Sequence, residues 1–293
     1  MQANRRHFFN AQAAPAAAES APAGRSAHWH VSDLDFSRID RQAVERNEDL
    51  FFLLVSASFI ETGSDTYAAN LAEHYAAYPE ISAWLKDHWE AEELQHGQAL
   101  RVYVEAVWPR FPWQQAYDSF FGEYSKLCTV EELYPDQRLE MVARCVVETG
   151  TTAYYHTLRE LSDEPVLTEL LGHIRNDEVS HYKHFLKYFK ELQQEAPVGR
   201  ARIAGALYGR LKELRESDSD VALRHVWAHK GDYFAGGTTR FEDMAQRIYE
   251  LVSRRLPADL AVRMLLKPML LPPRVEELVR TPIFRLATRV MSY

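Results

Sequence analysis

The feature that most constrains this chain is a motif that occurs twice. Glu61-Thr62-Gly63 is matched by Glu148-Thr149-Gly150, and Glu92-Glu93-Leu94-Gln95-His96 by Asp177-Glu178-Val179-Ser180-His181. The offsets agree: 87 residues separate Glu61 from Glu148, and 85 separate both Glu93 from Glu178 and His96 from His181. Tyr67 and Tyr154 repeat at the same offset as the first pair. A Glu and a His three residues apart share one face of an α-helix and can bind one metal ion together. Trp89, Leu100, Ile174 and Phe185 lie four residues outside the two pairs, where an inward-facing helix places core residues. Glu92 competes with Glu93 for the ligand position, being four residues before His96. The repeat decides for Glu93, because Asp177 holds the matching place before Glu178. Glu92 and Asp177 then become acceptors that orient the ligand histidines.

The motif sits in a chain that reads as helical from about residue 40 onward. Four long helices are expected, over about 41–75, 80–107, 136–161 and 165–194. Asp136 is an N-cap for the third, and Pro165 is a first-turn residue for the fourth. A shorter helix over about 113–127 lies in the connection between the second and third. Four long helices with one long middle connection define an all-α, ferritin-like four-helix bundle over residues 39–195. Residues 196–293 read as additional helices, at about 198–216, 219–230, 240–256 and 258–267, packing on the bundle. Residues 1–38 read as a disordered tail. Arg5-Arg6 resembles the start of an export signal, but Pro15, Glu19 and Pro22 break the stretch that follows, so the expected location is cytoplasmic.

Composition narrows the classes. Two cysteines, Cys128 and Cys145, exclude a disulfide framework and a four-Cys metal site, and both read as small buried residues. No apolar run is long enough to span a membrane. The net charge of −8 divides unevenly: residues 1–195 hold 17 basic and 31 acidic residues (−14), and residues 196–293 hold 17 and 11 (+6). This argues against general nucleic-acid binding. It makes the C-terminal third a reasonable docking face for an acidic partner. A basic amphipathic stretch at Ile283–Val290 is a lesser candidate for a membrane surface.

The chemistry follows from charge. Glu61, Glu93, Glu148 and Glu178 carry −4 into a helical core, which two divalent cations balance. With His96 and His181 they form the ligand set of a dinuclear carboxylate site. Oxygen and imidazole ligands suit iron or manganese better than zinc. Gly63 and Gly150, inside helices, either permit close helix approach or open space beside the metals. Ala57, Ser58, Ser64 and Ala68 keep the face near Glu61 small. The hydroxyls of Thr151 and Thr152 are catalytic candidates: each either donates to bound oxygen or bonds back to its own helix. His184, one turn past His181, is a candidate third imidazole ligand.

Trp89, the run Glu92-Glu93-Leu94-Gln95-His96-Gly97 with Leu100, and Asp177-Glu178-Val179-Ser180-His181 together resemble the soluble di-iron acyl-carrier-protein desaturases of the ferritin-like superfamily. The resemblance covers roughly residues 45–190. It implies two iron ions (Fe/Fe rather than Mn/Fe), dioxygen as co-substrate, an external ferredoxin-like electron donor and a homodimer. It implies desaturation or hydroxylation of an organic substrate, an acyl thioester foremost, with Thr151 near the oxygen site. N-oxygenation of an amine is the competing chemistry, and ferritin-type iron handling the non-catalytic alternative. The radical tyrosine of ribonucleotide reductase small subunits would fall at Leu100, which argues against that branch. The chain departs from plant-type desaturases in being shorter, in placing Glu61 and Glu93 only 32 residues apart, and in its C-terminal third.

Overall fold

The computed structural model describes residues 29–213 and 218–291. In chain order the helices are α1 (Arg41–Val44), α2 (Glu48–Thr62), α3 (Ser64–His74), α4 (Pro79–Trp84), a π-helical turn (Leu85–Trp89), α5 (Glu90–Val107), α6 (Trp113–Tyr124), α7 (Gln137–Arg159) and α8 (Pro165–Glu195). The extension adds α9 (Arg200–Glu213), α10 (Asp218–His229), α11 (Phe241–Arg255), α12 (Ala258–Leu266) and α13 (Pro273–Met291). No strand occurs among the described residues. The fold is all-α and ferritin-like: α2 with α3 pairs with α5, α7 pairs with α8, and α6 lies in the crossover.

Caps set the helix starts. Asn47 accepts from Leu50 N at 3.0 Å to begin α2, and Asp136 accepts from Arg138 N at 3.1 Å to begin α7. Glu164 caps α8 by accepting from Val166 N and Leu167 N, with Pro165 in the first turn. The same buried carboxylate accepts the Tyr103 hydroxyl at 3.0 Å, which ties the start of α8 to α5.

The first two expected helices are each interrupted. α2 stops at Thr62. Thr62 Oγ1 donates to Ser58 O and Ser64 Oγ to Glu61 O, competing with the backbone ladder at the position where Gly63 is the weakest helix former. Gly63 also makes room, since a Cβ there would stand 3.2 Å from the Tyr124 ring. In the second helix the π turn inserts just before Glu92 and Glu93. Such turns insert a residue into the helical repeat and recur near functional sites.

The expected tail is ordered earlier than residue 39. Val31–Asp33 and Phe36–Arg38 form short 3₁₀ turns, and Trp29 is only 7% exposed. The physical reason is burial of a large aromatic side chain against α5 and α8, with Gln95 Nε2 donating to Trp29 O at 3.0 Å. The rest of the expected tail, residues 1–28, lies outside the described residues.

The C-terminal extension packs on the bundle because α2 needs a cover. From Leu50 to Phe59 every residue of α2 is buried, so its outer side is as apolar as its inner one. Helix α10 packs on that outer side and on α6, where Trp227 stacks on Phe52 at 5.8 Å. Helices α9 and α12 cover α7. Arg210 of α9 reaches the buried Glu140 of α7 at 3.6 Å, and Arg144 holds the same carboxylate at 2.9 Å. The sequence pattern did not suggest α13 as one long helix through Pro282. No helix among the described residues is long and apolar enough to cross a membrane.

Gly97 sets the distance between α2 and α5. A Cβ there would stand 2.6 Å from both the backbone nitrogen and the hydroxyl of Thr62. Gly97→Ala must therefore push α2 from α5 next to Glu61 and His96. The expected cost is about 1–3 kcal/mol of stability, read by denaturant unfolding, together with weaker metal uptake. Unchanged stability would show that the two helices part freely.

Candidate metal centre

The six repeated residues come together in the middle of the bundle. Glu61 projects from the last turn of α2, Glu93 and His96 from α5, Glu148 from α7, and Glu178 and His181 from α8. They form two overlapping groups: Glu61, Glu93, His96 and Glu178, and Glu93, Glu148, Glu178 and His181. Within each group one ligand atom per residue lies within 4.8 Å of the others. Glu93 and Glu178 belong to both and would be shared by two ions, while Glu61 with His96 and Glu148 with His181 would each serve one. All six residues are buried.

Both imidazoles aim Nδ1 inward. His96 Nδ1 stands 3.4 Å from Glu178, 3.7 Å from Glu93 and 3.9 Å from Glu61. His181 Nδ1 stands 3.2 Å from Glu93, 3.6 Å from Glu148 and 4.0 Å from Glu178. The outer nitrogens are held crosswise. His96 Nε2 of α5 meets Asp177 of α8 at 3.0 Å, and His181 Nε2 of α8 meets Glu92 of α5 at 2.8 Å. The acidic residue before each ligand Glu thus orients the histidine on the opposite helix, the arrangement that fixes a ligand tautomer.

The residues fit a metal pair. His96 Nδ1, His181 Nδ1, Glu148 Oε2 and Glu178 Oε1 are buried without a hydrogen-bond partner, and all four belong to the two groups. Unpaired buried polar atoms are costly, and four converging on one space are what cations would satisfy. The acid–base state points the same way. Burial, with the neighbouring Glu93 and Glu178 carboxylates, pushes Glu61 well above the usual carboxylate range. Burial pushes Glu148 up likewise, aided by Glu178 and Glu93 against the opposing His181. Burial alone would raise Glu93, but His181 and His96 on either side hold it well below that range. Burial alone would lower the imidazoles, yet Asp177, Glu178 and Glu93 raise His96. Glu148, Glu92 and Glu93 raise His181 in the same way.

The remaining candidates divide. Thr151 Oγ1 donates to Glu178 Oε2 at 2.5 Å, and also lies 3.3 Å from Glu148 O on its own helix. It therefore touches a carboxylate common to both groups and bonds back as well. Thr152 is fully buried and its hydroxyl has no partner. His184 is not a ligand: its Nδ1 lies 3.0 Å from Ser180 O, and its ring stacks on Trp84 at 4.8 Å, so it faces outward. Cys145 is buried, and burial pushes its thiol up, as for an inert core cysteine.

Two residues that touch the centre were not among the sequence candidates. Trp29 Nε1 donates to Asp177 Oδ2 at 2.7 Å, which makes a continuous Trp29–Asp177–His96 chain. Tyr155 donates its phenol to Glu61 Oε1. Tyr155 lies seven residues after Glu148, on the same stripe of α7, and that spacing was the available signal. Trp29 had only its aromatic character in a segment that reads as tail. Two cavities, of about 670 Å³ beside Asp136, Arg138 and Arg202 and of about 370 Å³ beside Asp40, Asn47 and Pro165, are not lined by any ligand.

No protein-family profile matches the chain, and no curated protein sequence does. Solved structures of the same shape exist. An R2-like ligand-binding oxidase variant with an aerobically reconstituted Fe/Fe cofactor is 14% identical, with a TM-score of 0.51, over 78% of this chain and 87% of that one. An R2-like ligand-binding oxidase with an aerobically reconstituted Mn/Fe cofactor is 13% identical, with a TM-score of 0.50, over the same shares. At that identity the likeness establishes the ferritin-like fold.

Two outcomes test the centre. Glu178→Ala removes a ligand common to both groups. Elemental analysis should fall from about two metal ions per chain to a small fraction, while circular dichroism keeps the helical signal. Full metal content would refute the ligand set. A cation competes with protons for His96, His181, Glu61 and Glu148, all of whose pKa values are raised. Binding of Mn(II) should therefore tighten as pH rises from about 6 to about 8 and weaken on return, as followed by titration at fixed ionic strength.

Proposed function

We propose that this chain is a non-haem dimetal oxygenase that uses dioxygen to desaturate or hydroxylate an organic substrate carried as an acyl thioester. The observation that carries the reading is the pair of overlapping ligand groups with four unpartnered, buried donor atoms between them. A redox-active pair such as Fe/Fe, when bound, supplies electrons and open positions for dioxygen reduction. Mn/Fe is the alternative, and both pairs occur in the structural neighbours.

The chain's own residues do the rest. Glu93 and Glu178 hold the two positions together, and Glu92 and Asp177 fix the imidazole orientations through Nε2. Thr151 holds a proton at Oγ1, directed at Glu178 Oε2. Trp29 connects the outer side of α8 to His96 through Asp177 and is the entry point we assign to electrons from an external donor. Leu100, Ile174, Phe185 and Thr152, on the same helices as the ligands, are each fully buried. The carrier reading rests on charge. The C-terminal third carries +6 against −14 for the rest, which suits an acidic acyl carrier.

The test is reaction of the Fe(II)-loaded chain with dioxygen, measured by oxygen electrode and stopped-flow absorbance. Long-chain acyl groups on an acyl carrier protein or on coenzyme A are supplied, and products are weighed by mass spectrometry. Substrate-dependent oxygen uptake with loss of two hydrogens or gain of one oxygen is expected. Oxygen uptake that only oxidises iron, without change in any acyl or amine substrate, would favour iron handling and overturn the oxygenase reading.

A further inference from the structure

One stripe of α7 controls carboxylates that belong to other helices. Glu148, Thr151 and Tyr155 follow each other at helical spacing and face the centre. Glu148 enters as a ligand, Thr151 donates to Glu178, which is common to both groups, and Tyr155 donates to Glu61. The Glu61 and Glu148 carboxylates are therefore not alike. Among the described residues no side-chain hydroxyl donates to Glu148, and its Oε2 is unpartnered.

We infer that Tyr155 is a positioning residue that makes the two metal subsites unequal, by occupying Glu61 Oε1 while Glu148 has no such restraint. The inference rests on the dimetal reading above. The Tyr155 phenol donates to Glu61 Oε1 and so occupies one of the two oxygens that could meet a cation. It also draws charge from that oxygen, which makes it a weaker donor to the cation. Both effects weaken the subsite of Glu61 and His96 relative to that of Glu148 and His181.

Tyr155 is built to hold this position. It is 1% exposed, and its ring meets Tyr154 edge-on at 5.4 Å. Tyr154 in turn donates its hydroxyl to Leu53 O of α2 at 3.0 Å rather than to a ligand. Glu61 itself stands at the break between α2 and α3, where Ser64 Oγ takes its carbonyl at 2.8 Å. Glu61 is the penultimate residue of α2, whereas Glu148 lies inside the unbroken α7.

The experiment is titration of the full chain with Mn(II), with free ion followed by electron paramagnetic resonance. The native chain should bind in two steps about tenfold or more apart. Tyr155→Phe keeps the ring and removes only the hydroxyl. It should tighten the weaker step by about tenfold, closing the gap, and leave the stronger step in place. Tyr154→Phe should leave both steps as they are. Should Tyr155→Phe fail to fold, the native chain at half loading decides. Unequal subsites give isolated Mn(II) signals, and equal ones give a mixture with coupled pairs. Two equal steps in the native chain, or an unmoved weaker step in Tyr155→Phe, would overturn the inference. Absence of any Mn(II) binding would instead overturn the dimetal reading itself.

Discussion

The structure depends on the electrostatics of four carboxylates and two imidazoles held out of water. Left as anions, the carboxylates would repel one another across a space where solvent screening is weak. Burial pushes the Glu61 and Glu148 carboxyls up, and the carboxylates around the two histidines raise them. Both Nδ1 atoms are buried without a hydrogen-bond partner among the described residues. The crosswise pairs Asp177–His96 and Glu92–His181 hold each Nδ1 toward the cluster, so the site is oriented before any cation enters.

Irregular backbone collects around the same centre. The break at Gly63 follows Glu61 by two residues, and the π turn at Leu85–Trp89 ends just before Glu92. An uninterrupted α-helix repeats its faces every 3.6 residues. Each interruption resets that register, so that apolar core residues on one side and ligands on the other can both face inward. The close contact of Gly97 with Thr62 serves the same end, since it lets α2 and α5 approach where Glu61 and His96 come together.

The sequence disclosed the site better than it disclosed the path of the backbone. The clustering of the six residues could be read because a repeat at offsets of 87 and 85 residues is a long-range signal that survives local irregularity. The roles of Glu92 and Asp177 followed from their place in that repeat, although their crossing between α5 and α8 needed the three-dimensional pairing. The interruptions in the first two helices were hidden because no proline marks either of them. Gly63 was visible, but side-chain competition from Thr62 and Ser64 was needed to stop α2 there. Trp29 was out of reach for a different reason. Its partners Asp177 and Gln95 are 148 and 66 residues away, and nothing local marks the segment as ordered.

The C-terminal extension is best understood from α2. A four-helix bundle buries one stripe of each helix, yet every residue of α2 from Leu50 to Phe59 is buried. Such a helix would be unstable at the surface, and α10 supplies the second layer that it lacks. On the α7 side the contact is polar as well: Arg210 of α9 joins Arg144 at Glu140, which is one turn before Arg144 and two before Glu148. Breaking that network would leave a buried carboxylate short of a cation on the helix that also carries Glu148, Thr151 and Tyr155. The extension therefore does more than shield the bundle: it holds in place the two helices, α2 and α7, whose carboxylates differ most in their restraint.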